Sequence, residues 1–361
     1  MTDKELRDLA VAALKKTTIS YPMWVARQTQ GKFPDVKLTQ WWKAFDYLAQ
    51  IGVVAPPPPP PVGKQASPGQ MPAVLAGCSS GDAVTATAGN HPKLILNKSF
   101  VAQGVAIRCA SGAFFSGIDT NGQSGYTFDG VVSKIPAEPN DINVTPFYLH
   151  GGSQRINLTG AFQLQGGYDG IKVYGGSQDC TIDDGGGASD ISGYGGDGIH
   201  VNQSTNLWIK SVSIGNPWDY GATPEHNDGI HAQAFTNLRI GGGAAGGVVR
   251  LTALVTPRTP RSDVDSAGMF IRGEGTGANG LVIDGVSVHW QIGRAFQLID
   301  IAGAVSIRAL SITDSGITGD SPAITFGVQP DQHVDVWGPL TGFSEADCYW
   351  SYGRAQTTFH T

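Results

Sequence analysis

The chain has 361 residues, of which 15% are charged, 40% are hydrophobic and 50 are glycine, with a formal net charge of −6. The glycines do not recur at every third position, which excludes collagen, and the apolar share suffices for a sizeable core, which excludes wholesale disorder. Residues 1–52 balance at +3 (eight Lys/Arg against five Asp/Glu) and the remainder at −9, so no nucleic-acid partner is expected; no apolar stretch approaches about 18 residues, so no membrane span is expected either.

In chain order, residues 2–15 read as a helix. Thr2 and Glu5 form a capping box, and Leu6, Leu9, Ala10, Ala13 and Leu14 share one face. A second helix is expected from about Thr39, with Trp41, Ala44, Phe45 and Leu48 at helical spacing and Gly52 as its stop. Tyr21, Trp24 and Phe33 between them supply a small core, and a unit of about 50 residues is marginal alone. This makes residues 1–54 a docking module rather than an enzyme. The N-terminus is charged and lacks an apolar segment of the secretory kind. Residues 55–70 form a linker in which six consecutive prolines, Pro56 to Pro61, span roughly 19 Å as polyproline II.

From residue 71 to 361 the chain repeats. FYLHGGSQRINL (147–158) aligns without gaps on IKVYGGSQDCTI (171–182). Asp169–Gly170–Ile171 recurs as Asp197–Gly198–Ile199 and Asp228–Gly229–Ile230, each followed by a short alternating strand. A repeat of 24 to 31 residues with no helix cannot bury its apolar face alone, but stacked copies can, each strand pairing in parallel with its equivalent one coil on. The expected fold is all-β: a right-handed parallel β-helix. A propeller fits worse, because its blades need about 40–50 residues. Asn206 and Asn237 precede matching strands and are expected in the left-handed conformation that bends one sheet into the next. Cys78, Cys109, Cys180 and Cys348 show no CxxC spacing and read as buried free thiols.

The Asp-Gly-Ile–strand–Asn-Leu pattern over residues 75–340 resembles the pectin-lyase-like β-helix superfamily, which includes pectate lyases, polygalacturonases and phage tailspikes. The segment TTISYPMWVARQ…LTQWWKAFDYLAQIG with its proline linker is similar to the N-terminal module of minor tail proteins in phages of mycobacteria and related actinobacteria. Together these resemblances imply a virion protein that docks on other tail proteins through residues 1–54 and presents a β-helix to host cell-surface polysaccharide. Trimers are common among phage β-helices, so a homo-oligomer is implied too. A virion-borne depolymerase and a purely structural tail subunit are the competing expectations.

Two columns of side chains carry the candidate chemistry. The position after each Gly-Ile gives Tyr148, Lys172, His200, His231, Phe270, Gln297 and Thr325, expected to point outward as a strip for stacking on sugar rings and bonding hydroxyls. Against this stands a plain solvated face. Asp169, Asp197 and Asp228 form the second column; with coils about 4.8 Å apart their separations bracket glycosidase geometries, and crowding raises one pKa. Asp197 and Asp228 with His200 or His231 are the catalytic candidates; Asp169, Lys172 and Arg294, the last aligned with the aspartates two coils past Asp228, are binding candidates. Calcium bridging is a further use of such carboxylates, and no other cofactor is read. The plain alternative is turn chemistry by Asp-Gly. Asn227–Asp228–Gly229 resembles only part of the polygalacturonase motif, and Asp183–Asp184 lies upstream of where the paired aspartates belong. The segment 215–229 adds Trp218, Tyr220, Glu225 and His226, a composition suited to carbohydrate contact.

Overall fold

The structure is a computed structural model that describes the chain from residue 63 onward apart from several segments, the longest being 137–140, 218–226, 254–265, 313–323, 328–332, 338–347 and 351–356; side chains are described to residue 312. The docking module, its helices, and Trp218, Tyr220, Glu225 and His226 therefore lie outside the described residues, as do the side chains of Arg294 and Cys348.

Every strand pairs in parallel, and the pairings define three faces of a β-solenoid of the right-handed β-helix kind. One face stacks Leu94–Ile95, Ile118–Asp119, Phe147–Leu149, Ile171–Val173, Ile199–Thr205, Ile230–Ile240, Ala267–Arg272 and Arg294–Ile299 in succession. A second runs through Ala83–Ala86, Val105–Cys109, Tyr126–Asp129, Ile156–Thr159, Thr181–Asp183 and Trp208–Ile214. A third includes Val132–Lys134, Gln163–Gln165 and Asp190–Ser192. Alternate residues point inward and fill the bore: Ile171, Val173, Ile199, Val201, Ile230, Ile209 and Leu164 are all fully buried.

The repeated tripeptide has a steric cause. A Cβ on Gly170 would lie 2.6 Å from the Gly198 carbonyl oxygen, one on Gly198 would lie 2.6 Å from that of Gly229, and one on Gly229 would lie 2.5 Å from that of Gly268. Glycine is the residue that lets consecutive coils close at this corner. The corner after it is held by a side-chain ladder. Asn206 and Asn237 adopt φ of 54° and 58°, as expected from the sequence, and Asn237 Nδ2 donates to Asn206 Oδ1 at 3.1 Å while Asn206 Nδ2 donates to Asp179 Oδ1 at 2.8 Å.

The solenoid starts earlier than the end of the proline-rich segment suggests. Lys64–Ala66 is already a strand, paired with Ala83–Ala86, and the short helix Met71–Ala76 buries Met71 and Leu75 against the first coils. No helix among the described residues is long and apolar enough to cross a membrane. Cys78 and Cys180 are buried free thiols and Cys109 is half-buried.

Candidate functional site

The strip forms in the register read from the sequence. Tyr148 aligns with Lys172, Lys172 with His200, His200 with His231, His231 with Phe270, Phe270 with Gln297 and Gln297 with Thr325. It is not the open solvated face that outward pointing suggests: Lys172 is 5% exposed, and the side chains of His200 and His231 are 16% and 12% exposed. Neighbouring rings cover one another. Tyr174 meets His200 edge-on at 5.7 Å, the His200 and His231 rings stack at 4.8 Å with planes 7° apart, and Phe270 lies 5.0 Å beyond His231. A cation closes each end of this ring ladder, Lys172 Nζ at 5.1 Å from the Tyr174 ring and the Arg272 guanidinium at 5.5 Å from Phe270.

Beneath the rings runs the aspartate column, and its first role is structural. Asp169 Oδ1 accepts the backbone N–H of Asp197 at 3.0 Å, Asp197 Oδ1 that of Asp228 at 3.2 Å, and Asp228 Oδ1 that of Ala267 at 2.6 Å. The carboxylates thus bond the next coil rather than their own turn, which differs from the Asp-Gly turn chemistry expected. Arg294 occupies the register position after Ala267 in this column, so its backbone sits where the sequence places it.

The second oxygens face the imidazoles. Asp197 Oδ2 lies 3.1 Å from His200 Nδ1 and 3.3 Å from His231 Nδ1; Asp169 Oδ2 is 3.7 Å from His200 Nδ1 and 3.8 Å from Lys172 Nζ, and Asp228 Oδ2 is 3.7 Å from His231 Nδ1. Each histidine is therefore wedged between the aspartate of its own coil and that of the coil before. Burial, reinforced by the Asp197 charge, pushes the Asp169 carboxyl up to about 7. Burial acts on Asp197 in the same direction, but the two imidazoles outweigh it and hold that carboxyl below the usual range. Burial alone would lower His200; the Asp197 carboxylate reverses this and raises it. The outcome is a protonatable carboxyl beside an ionised one, the division of labour of acid–base catalysis, but in a place where Asp169 is fully buried.

A resident metal ion does not fit. Asp197, His200 and His231 bring ligand atoms within 4.8 Å of one another. Yet in-plane lone pairs of two rings stacked nearly parallel run side by side instead of converging, and Asp197 Oδ2 stands at proton-sharing distance from both Nδ1 atoms. Calcium needs about six to eight oxygen ligands. Each of these aspartates has one oxygen already committed to a backbone N–H.

The other sequence candidates fall elsewhere or serve structure. Asp183 pairs with Lys210 at 2.7 Å on the second face, and Asp184 accepts from Ser189 Oγ at 2.7 Å. Arg272, which caps the far end of the ring row and was not among those candidates, donates to Gln233 Oε1 at 2.9 Å. Sequence reasoning missed a cluster at the start of the strip. Asp119, aligned with Tyr148, takes Lys93 Nζ at 3.0 Å on Oδ2 and His150 Nε2 at 2.7 Å on Oδ1, and Tyr148 stacks on His150 at 4.2 Å. The signal was present, because Asp119 follows Gly117–Ile118 just as His200 follows Gly198–Ile199.

No protein-family model matches the chain, and no curated protein matches it. Among solved structures it is similar to the catalytic domain of a GH87 alpha-1,3-glucanase in complex with tetrasaccharides, at 13% identity and a TM-score of 0.34, over 85% of this chain and 70% of that one. A likeness of this degree assigns neither chemistry nor substrate to this chain.

Proposed function

We propose that the chain is a carbohydrate-recognising β-helix carried on a phage tail, with residues 1–54 as the docking module and the solenoid as the part that meets host envelope glycan. The tail assignment is supported by the resemblance of the N-terminal segment alone. The glycan assignment is carried by one observation: a cation-capped row of rings, Lys172–Tyr174–His200–His231–Phe270–Arg272, laid along one face at the spacing of successive coils. Of these rings, the partly exposed Tyr174 and Phe270 offer apolar surface to sugar faces, and Asn202, Gln233 and Arg272, aligned on successive strands of the same face, supply polar groups beside them. Affinity-capture of delipidated actinobacterial wall polysaccharide by the full-length protein tests this. Retention that falls about tenfold in Phe270→Ala or Tyr174→Ala supports the strip; equal retention by both variants sinks it.

The unequal aspartates favour a second reading, a depolymerase in which Asp169 is the acid and Asp197 the ionised partner. Their burial weighs against it. New reducing ends or unsaturated uronate that vanish in Asp197→Asn would make turnover, rather than binding, the function.

A further inference from the structure

The imidazoles singled out by the repeat are poorly placed to touch anything outside the protein. The Nε2 atoms of both His200 and His231 are buried and have no hydrogen-bond partner among the described residues, and their Nδ1 atoms face carboxylates. The two rings are clamped into the wall between Tyr174 and Phe270.

His150 is built differently. Its side chain is 28% exposed, more than twice as exposed as that of His231 at 12%. Its ring and its backbone are both held. Asp119 Oδ1 holds Nε2 at 2.7 Å, the Tyr148 ring lies against its face at 4.2 Å and 20°, its backbone N–H donates to Thr120 Oγ1, and its carbonyl accepts from Ser153 Oγ. Asp119 is itself anchored, by the Asn121 N–H at 3.0 Å on Oδ1 and by Lys93 at 3.0 Å on Oδ2. With Nε2–H donating to Asp119, the neutral ring keeps its lone pair on Nδ1, the nitrogen for which no described residue supplies a partner. A carboxylate-oriented, partly exposed imidazole whose other nitrogen has no partner among the described residues can present a fixed acceptor or base to a hydroxyl.

We infer that His150, oriented by Asp119, is the residue through which the strip takes the hydroxyl of a bound sugar, with the Lys93 ammonium beside it as donor to a neighbouring oxygen. This rests on the glycan reading above and adds to it a hydrogen-bonding contact two coils on the N-terminal side of His200. The pair stiffens the wall; the Asp119–His150 unit faces the ligand.

Carbethoxylation of the full-length wild-type chain by diethylpyrocarbonate, followed peptide by peptide, tests the placement without any substitution. His150 should react about tenfold faster or more than His200 and His231, whose reaction must await local opening. Solubilised, delipidated actinobacterial wall polysaccharide should then slow His150. In parallel calorimetry, His150→Gln should still unfold cooperatively but bind that polysaccharide about three- to tenfold more weakly, the loss of one hydrogen bond. If His150 reacts no faster than the other two, the placement is wrong. If the polysaccharide binds but neither protects His150 nor is weakened by His150→Gln, the inference fails and the glycan reading survives. If the reactivity order holds but the polysaccharide does not bind, it is the glycan reading that fails, and with it the ligand assigned to His150.

Discussion

At the scale of single residues, the site is a problem in proton accounting. Asp169 carries a folded-state pKa raised from 3.8 to about 7, so above pH 4 its charge is increasingly disfavoured in the folded chain and its contribution to stability falls as pH rises toward neutrality. His200 is also raised, so its stabilising contribution is full below its unfolded value near 6.5 and is lost as pH climbs through the folded one. Both act in the same direction. Thermal unfolding should therefore show the β-helix more stable at pH 5.5 than at pH 8, and Asp169→Asn should flatten that slope; a profile rising with pH would contradict the wedged arrangement. Asp197 has the opposite sign: its depressed value means that its stabilisation is present above pH 3.8 and is lost only as acid approaches the folded value. Because Asp197 is the carboxylate shared by both rings, Asp197→Asn should cost about 3 kcal/mol or more at pH 6 in urea unfolding, as expected when one partner of a buried ion pair is removed. The sequence made the histidine and aspartate columns legible because a period of two and a fixed tripeptide leave no freedom of register. It did not reveal how deeply they are covered, since exposure depends on which rings from i+2 positions fold back over the strip, as Tyr174 does over His200.

At the scale of the coil, two corner devices decide whether successive turns close. Gly198→Ala places a Cβ against the backbone of the next coil, and urea unfolding should show a loss of about 1–3 kcal/mol. Gly77→Ala is the control: its added Cβ meets only the Val74 carbonyl oxygen at an ordinary 3.6 Å, so a change within about 0.5 kcal/mol is expected. Asn206→Ala removes both ladder bonds and forces alanine into φ of 54°, so it should cost about 2 kcal/mol, and Asn206→Gly less than the alanine. A glycine variant no better than alanine would mean that the ladder bonds, not the backbone conformation, hold this corner. These corners were the most readable part of the chain, because each residue there answers a local steric demand. The Asp119–His150 unit was harder to see: Lys93, Asp119 and His150 come from three successive coils, and only the pairing of Ile118 with Phe147 brings the latter two together.

At the scale of the molecule, the parallel stack makes the ends its weak points, since an interior coil has neighbours on both sides and a terminal coil has one. The strand Lys64–Ala66, with Ala66 fully buried, and the helix that buries Met71 and Leu75 close the N-terminal end. A fragment starting at Met71 should therefore melt lower than one starting at Gly63, and scanning calorimetry of the two would show it. The fold class and the repeat were legible over the whole solenoid, while this closing strand was not, because KQA beside a proline run has no apolar alternation to announce it. One further property follows from the direction of the aspartate bonds. Asp169 waits for the amide of Asp197, Asp197 for that of Asp228, and Asp228 for that of Ala267, always the residue synthesised later. These three bonds thus all run in the order of translation, each carboxylate taking an amide that lies one coil later in the chain. A chain interrupted between residues 198 and 227 would end on a carboxylate still lacking its amide, a built-in mark of incompleteness that the finished protein no longer carries.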